Sequence, residues 1–298
     1  MNRLYLFVAL LAAFALAAPE ITEARNHRGG GMGGGMGGKG GFGKKGGMKG
    51  GEQGASETAS PQDNPLSRYA SADVLKKGGL VETGLRPVYP DSAECLEIKS
   101  HFSSPTRFDG SFRVSSAFAG YHSGSDISAP IGTPIIAIAD GEVIHKYVGG
   151  RLVGNQIYLR HTPEDTGLNV TLYSKYKHFN KLPDLEIGQR VKMGQFLGPS
   201  GDTGTAGGHF PTGYPHLHMS LYTGTNGEYS STENSVYPKG AKHLDPVALY
   251  MSPPITDSLA ALALDDDKKN VPIAFMTTGG KVMPEGARII WPFACAPK

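Results

Sequence analysis

Apolar and polar positions alternate with a period of two along three stretches of the chain, GNQIYLRH (154–161), VTLYSKY (170–176) and HLHMSLY (216–222). Such alternation sends successive side chains to opposite faces and predicts half-buried strands. TPIIAIADGEVIHKY (133–147) holds two short β-branched runs around Asp140 and Gly141, a dipeptide suited to a type I′ turn, and predicts a hairpin. GQRVKMGQFLGPSGDTGTAGG (188–208) is dense in glycine-bounded turns, and the one helical pattern in this half of the chain is a short one at 256–264. The expected fold is therefore all-β, an antiparallel sheet domain with long site-forming loops.

The patterned region runs from 107 to 250, long enough to bury one sizeable core. Residues 67–106 lack a strong period and are expected to form an N-terminal extension. The segment 251–298, with the only tryptophan at Trp291, is expected to be a tail that packs back on the domain.

Composition changes the picture at the N-terminus. MNRLYLFVALLAAFALAAPEITEA (1–24) has an early arginine, an apolar run too short to span a bilayer and small residues suited to cleavage, and reads as a signal peptide. It predicts a secreted or periplasmic protein. Residues 25–66 follow as a leader, glycine-rich in its first half and then polar; six of its residues between Arg25 and Lys49 are Arg or Lys and none there is acidic. Glycine at this density loses much backbone entropy on ordering and offers little to bury, so a disordered coil is expected. Its cations would give it a salt-sensitive contact with an anionic envelope, although a plain spacer fits equally well. The net charge of +2 calls for no nucleic-acid partner, and a monomer is expected. Cys95 and Cys295 are the only cysteines; export permits a disulfide between them, and paired and free thiols both remain open.

Candidate chemistry rests on histidines. In GYHSGSDISAP, His122 and Asp126 stand four apart in a segment whose Gly120, Gly124 and Pro130 oppose a helix. An imidazole and a carboxylate suit zinc, but this pair alone suits a structural hydrogen bond as well. His216 and His218 flank Leu217 on a predicted strand, so both rings share one face while Leu217 takes the other. His178 lies at the end of another strand, in YKHF. No HExxH occurs, which excludes the helical zinc-protease site.

These residues resemble the M23 zinc metallopeptidases of the lysostaphin and LytM type, which cut peptide bonds in bacterial peptidoglycan. The resemblance covers 112–250 and includes VSSAFAGYHSGSDISAPIGTPIIAIADGEVI, YKHF, VKMGQFLGPSGDTG, PHLH and LDPVALY, in that order. It implies that His122, Asp126 and His218 bind one Zn²⁺ per chain and that His178 and His216 are the catalytic histidines. The expected activity is a zinc-dependent endopeptidase acting on peptidoglycan peptide cross-links, either D-alanyl to diaminopimelate or glycyl-glycine bonds. The alternative is a non-catalytic module of the same fold that binds peptidoglycan or activates another wall hydrolase. The run TGTAGGHFPTGYPH (203–216) is longer than the usual family loop and carries His209, whose role is open. His101, His145, His161 and His243 match no motif position and are expected to be structural or surface residues.

Overall fold

The computed structural model of the chain describes residues 61–205 and 214–298. The expected signal peptide, most of the leader and His209 lie outside the described residues. Within them the dominant feature is an antiparallel sheet. Its strands, with the short pair packed beside it, are β1 (Ile98–Ser100), β2 (Ser125–Ser128), β3 (Pro134–Ile136), β4 (Gly141–Val148), β5 (Asn155–His161), β6 (Thr171–Phe179), β7 (Arg190–Val191), β8 (Phe196–Pro199), β9 (His216–Gly224) and β10 (Lys242–Leu244). The main sheet has the order β1-β2-β9-β6-β5-β4-β7, with β10 also paired to β9, while β3 and β8 pair with each other. Among the described residues helices are short; Ser258–Ala261 is the one inside the predicted 256–264.

The alternation in the sequence is what the sheet uses. Leu217, Met219 and Leu221 of β9, Leu172 and Tyr176 of β6, and Ile157 and Leu159 of β5 belong to one buried cluster. The opposite face of the same strands carries His216, His218, Lys177 and Lys175, with His218 directly across from Lys177 and Ser220 across from Lys175. One face thus drives folding by removing apolar area from water, and the other is left for chemistry.

Segments on both sides of 107–250 enter that same core. Val271, Phe275, Ile289, Trp291 and Phe293 of the tail are buried in it, together with Leu85 and Ile98 from before the domain. The Trp291 indole N–H donates to the Leu96 carbonyl at 2.9 Å, and Arg86–Val88 pairs in parallel with Asn270–Pro272. Cys95 and Cys295 form a disulfide across 200 residues of sequence, which resolves the question the cysteine count left open.

The hairpin expected at Asp140-Gly141 does not form. β3 pairs with β8, and β4 pairs with β5 and β7, so the two runs go to different partners. The Asp140 carboxylate accepts from the Met193 N–H and the Lys192 ammonium, each at 2.8 Å, and anchors a distant turn instead. Gly141 is required for close approach: a Cβ there would lie 2.6 Å from His161 Nδ1.

Three buried titratable groups away from the cleft make stability sensitive to acid. Burial holds the imidazoles of His161 and His243 down to about 4, and it raises the Asp245 carboxyl to about 6 against hydrogen bonds from Thr83 and Val247. As pH falls from 6.5 to 4, the unfolded chain protonates both histidines before the folded chain does, a loss of roughly 3 kcal/mol each. Below pH 6 the folded Asp245 takes up its proton first and returns roughly 2 kcal/mol. These three groups together should therefore contribute a net fall on the order of 3 kcal/mol to urea unfolding between pH 7 and pH 4.5, to which the depressed imidazoles of the cleft add. His243→Gln should lose less on acidification than the wild type; an equal loss in both would refute the assignment.

Candidate active site

Four strand or loop positions meet on the polar face of the sheet. β9 supplies His216 and His218 in plain alternation, and β2, paired to β9, sets Asp126 opposite His218. His122 precedes β2 in the segment that Gly124 allows to lie against β9, since a Cβ at Gly124 would sit 2.4 Å from the Met219 carbonyl oxygen. The result is a tight triangle. His122 Nε2 lies 3.0 Å from Asp126 Oδ1 and 3.0 Å from His218 Nδ1, and His218 Nδ1 lies 2.9 Å from Asp126 Oδ1. Among the described residues these three are the group of His, Cys, Asp or Glu side chains placed to hold a metal ion.

The surrounding hydrogen bonds fix which atoms carry lone pairs. His122 Nδ1–H donates to the His101 carbonyl at 2.9 Å, which leaves Nε2 as an acceptor. His218 Nε2–H can donate to the Ser220 hydroxyl at 3.0 Å, which leaves Nδ1 free toward the triangle. Burial is the main reason that both imidazoles sit below their ordinary pKa, with the Lys177 charge adding to the effect at His218. Burial raises the cost of charge on Asp126 as well, but the imidazoles of His122 and His216 outweigh it and hold the carboxyl well below the usual range. Arg113 closes the far side, its guanidinium 3.3 Å from Asp126 Oδ2 and 2.7 Å from the Ser100 hydroxyl.

Two lone-pair nitrogens and a carboxylate oxygen, all converging, are the donor set of a cation site. A tetrahedral zinc with bonds of about 2.0–2.1 Å spaces its ligands by roughly 3.3 Å. The observed edges of 2.9–3.0 Å are slightly contracted from that value, and the three residues fit the ion.

His178 and His216 stand beside the triangle. Their ring centroids are 4.7 Å apart, and His178 is 6.0 Å from His218. His178 Nδ1–H donates to the Thr203 carbonyl at 2.6 Å and His216 Nδ1–H to the Tyr214 carbonyl at 2.7 Å, so each ring turns Nε2 away from its carbonyl tether. His216 Nε2 is 3.4 Å from Asp126 Oδ1. Burial, with the charges of His216, Lys177 and His218 adding to it, holds His178 well below its ordinary pKa.

His178 reaches this face through an irregularity. Plain alternation from Lys175 and Lys177 would turn it into the core. Instead Asn155 pairs with Phe179 and Gln156 with Lys177, so His178 is the extra residue of a β-bulge, with φ at 68°. Lys177 and His178 both face the cleft, and Phe179 returns to the core.

All five expected site residues are thus brought together. The sequence pattern did not single out Arg113, Tyr214, or the carbonyls of His101 and Thr203. Tyr214 stacks on His216 with centroids 5.2 Å apart, and Phe108 stacks on Tyr214 at 3.7 Å. A signal did exist for Lys175 and Lys177, which share the parity opposite to Leu172 and Tyr176. The cluster opens into a cleft of about 660 Å³ whose walls include Arg68, Phe108, Tyr158 and Tyr237.

Residues 120–232 match Peptidase family M23. The chain is 39% identical over 100 residues to the peptidoglycan DD-endopeptidase ShyC of Vibrio cholerae, covering 34% of this chain and 20% of that protein. It is 34% identical over 108 residues to the glycyl-glycine endopeptidase ALE-1 of Staphylococcus capitis, covering 35% of this chain and 25% of the relative. The match therefore spans a fifth to a quarter of these relatives' own lengths. Among solved structures, the catalytic domain of the antimicrobial peptidase lysostaphin from Staphylococcus simulans aligns at 30% identity and a TM-score of 0.32, over 44% of this chain and 80% of that one.

Proposed function

With residues 120–232 belonging to peptidase family M23, we propose that the chain is a zinc-dependent endopeptidase that hydrolyses peptide cross-links of bacterial peptidoglycan outside the cytoplasm. The observation that supports this most is the triangle of His122, Asp126 and His218 with two further imidazoles beside it. Names of relatives support the substrate class: ShyC is a peptidoglycan endopeptidase and ALE-1 a glycyl-glycine endopeptidase.

His122 Nε2, Asp126 Oδ1 and His218 Nδ1 would hold the ion. Zinc bound there supplies Lewis acidity toward water and the scissile carbonyl. The rest of the chemistry belongs to the side chains. Because Nδ1–H of both His178 and His216 is committed to a backbone carbonyl, a neutral ring offers Nε2 only as an acceptor. One ring takes the proton of the attacking water at Nε2 and thereby becomes a donor at the same atom, able to protonate the departing amine. The other stabilises the tetrahedral oxyanion when it carries a proton on Nε2. Arg113 pairs with Asp126 Oδ2 and orients the carboxylate, and the Phe108–Tyr214 stack shields the His216 ring from water.

The same reading includes a domain layout. Residues 107–250 are the peptidase-like domain, 67–106 its extension and 251–298 its tail, behind a signal peptide and a basic leader, in a monomer. Digestion of defined cross-linked muropeptides, followed by product masses, tests the activity. Cleavage should occur with zinc, stop with a chelator and resume on re-addition. A zinc-loaded, folded chain that binds peptidoglycan yet cuts nothing would favour the non-catalytic alternative.

A further inference from the structure

The walls of the cleft are unevenly charged. Among the described residues they include the cations Arg68, Arg107, Arg113, Arg151, Lys175 and Lys177, against the carboxylates Asp109 and Asp126. Asp126 is engaged by Arg113 and the imidazoles, and the Asp109 carboxylate accepts from the Ser111 N–H. Lys177 donates to the Leu152 carbonyl at 2.9 Å. Arg68 and Lys175 have no carboxylate in salt-bridge reach among the described residues.

These two come from different parts of the fold. Arg68 belongs to the segment before the domain, outside the matched residues 120–232, and its Nε is buried with no hydrogen-bond partner. Lys175 is half-buried on β6 with its ammonium 4.9 Å over the Tyr158 ring. Burial, joined by the Arg68 charge, pulls the Lys175 ammonium down to about 7. Bringing two like charges together in a partly desolvated cleft costs free energy unless an anion joins them.

Resting on the peptidase reading, we propose that Arg68 and Lys175 form a subsite for a free carboxylate on the peptide strand being cut. Its position follows from register. Lys177 is opposite His218 and Lys175 opposite Ser220, so Lys175 is two residues, or roughly 7 Å, along the strand from the triangle. An extended peptide lying along β6 would place a carboxylate there about two residues from the scissile bond. The substrate class is then a cross-link that carries a carboxylate near the cleaved bond, in preference to an uncharged oligoglycine bridge.

The test uses two synthetic cross-linked peptides that differ only in that group, one a free acid and the other its primary amide. Calorimetric titration into the metal-stripped full chain gives dissociation constants without turnover. The acid should bind roughly tenfold more tightly than the amide or better, as a charge-assisted pair allows. In Lys175→Met and in Arg68→Gln the ratio should fall below about threefold. A wild-type ratio near one, or an unchanged ratio in both variants, overturns the subsite. Failure of the peptidase reading registers separately, as zinc-loaded chain that cuts neither peptide.

Discussion

A His122→Ala chain is expected to lose zinc and, with it, hydrolysis, while remaining folded. Among the described residues His122 supplies one of the three converging donor atoms, and its Nε2 is within 3.0 Å of both others. Removing it leaves a two-donor site and an Asp126 carboxylate without one of its two close imidazole contacts. Loss of a partner that merely orients a ligand costs 10–100-fold in metal affinity, so loss of a ligand itself should cost at least ~100-fold. Hydrolysis should fall by roughly three orders of magnitude or more, since the Lewis acid departs with the metal. The buried ring leaves a small cavity, and stability should drop by about 1–3 kcal/mol. Zinc content after gel filtration, kcat/KM on a cross-linked muropeptide and urea unfolding give the three readouts. Stoichiometric zinc together with full activity would remove the assignment of His122.

The second large effect concerns the staple rather than the site. Opening the Cys95–Cys295 bridge releases a loop closed over 200 residues, for which the chain-entropy relation gives about 5 kcal/mol. The measured loss should be smaller, roughly 2–4 kcal/mol, because the tail is also held by its own packing. Trp291 is fully buried, forms a T-shaped pair with Tyr89 with ring centroids 5.7 Å apart, and Phe293 lies in the same core. Guanidinium unfolding of the Cys95→Ser/Cys295→Ser chain, compared with the wild type in the absence and presence of reductant, measures it. Equal unfolding free energies in the oxidised wild type and the double variant would show that packing alone secures the tail. Activity per folded molecule should survive, since neither cysteine touches the cleft.

Much of this architecture was legible in alternation. Leu217 between His216 and His218 correctly assigned one side of β9 to the core and the other to chemistry, because period two leaves no third choice. Asp140-Gly141 misled for an instructive reason: turn propensity is local, whereas strand pairing is decided by which partners bury the apolar face. Here β8 and β5 took the two runs apart. Side chains joined through distant contacts left no local trace. Arg113 finds Asp126 across 13 positions and Trp291 finds Leu96 across 195, and no pattern of neighbours encodes either. The cysteine count could frame a pairing but not choose it, since choosing requires the proximity that only the folded tail provides.

The extra residue at His178 has a consequence for how this site can change. A regular strand delivers every second side chain to a given face, so it could seat either Lys177 or His178 in the cleft, never both. The bulge lets neighbours in the chain become neighbours over the substrate while Phe179 still returns to the core. Position 177 therefore lies beside the His178 imidazole without any change in sheet register, and its charge acts directly on that ring and on His218. A substitution there reaches the substrate and the protonation of the neighbouring ring together, while strand register stays as it is.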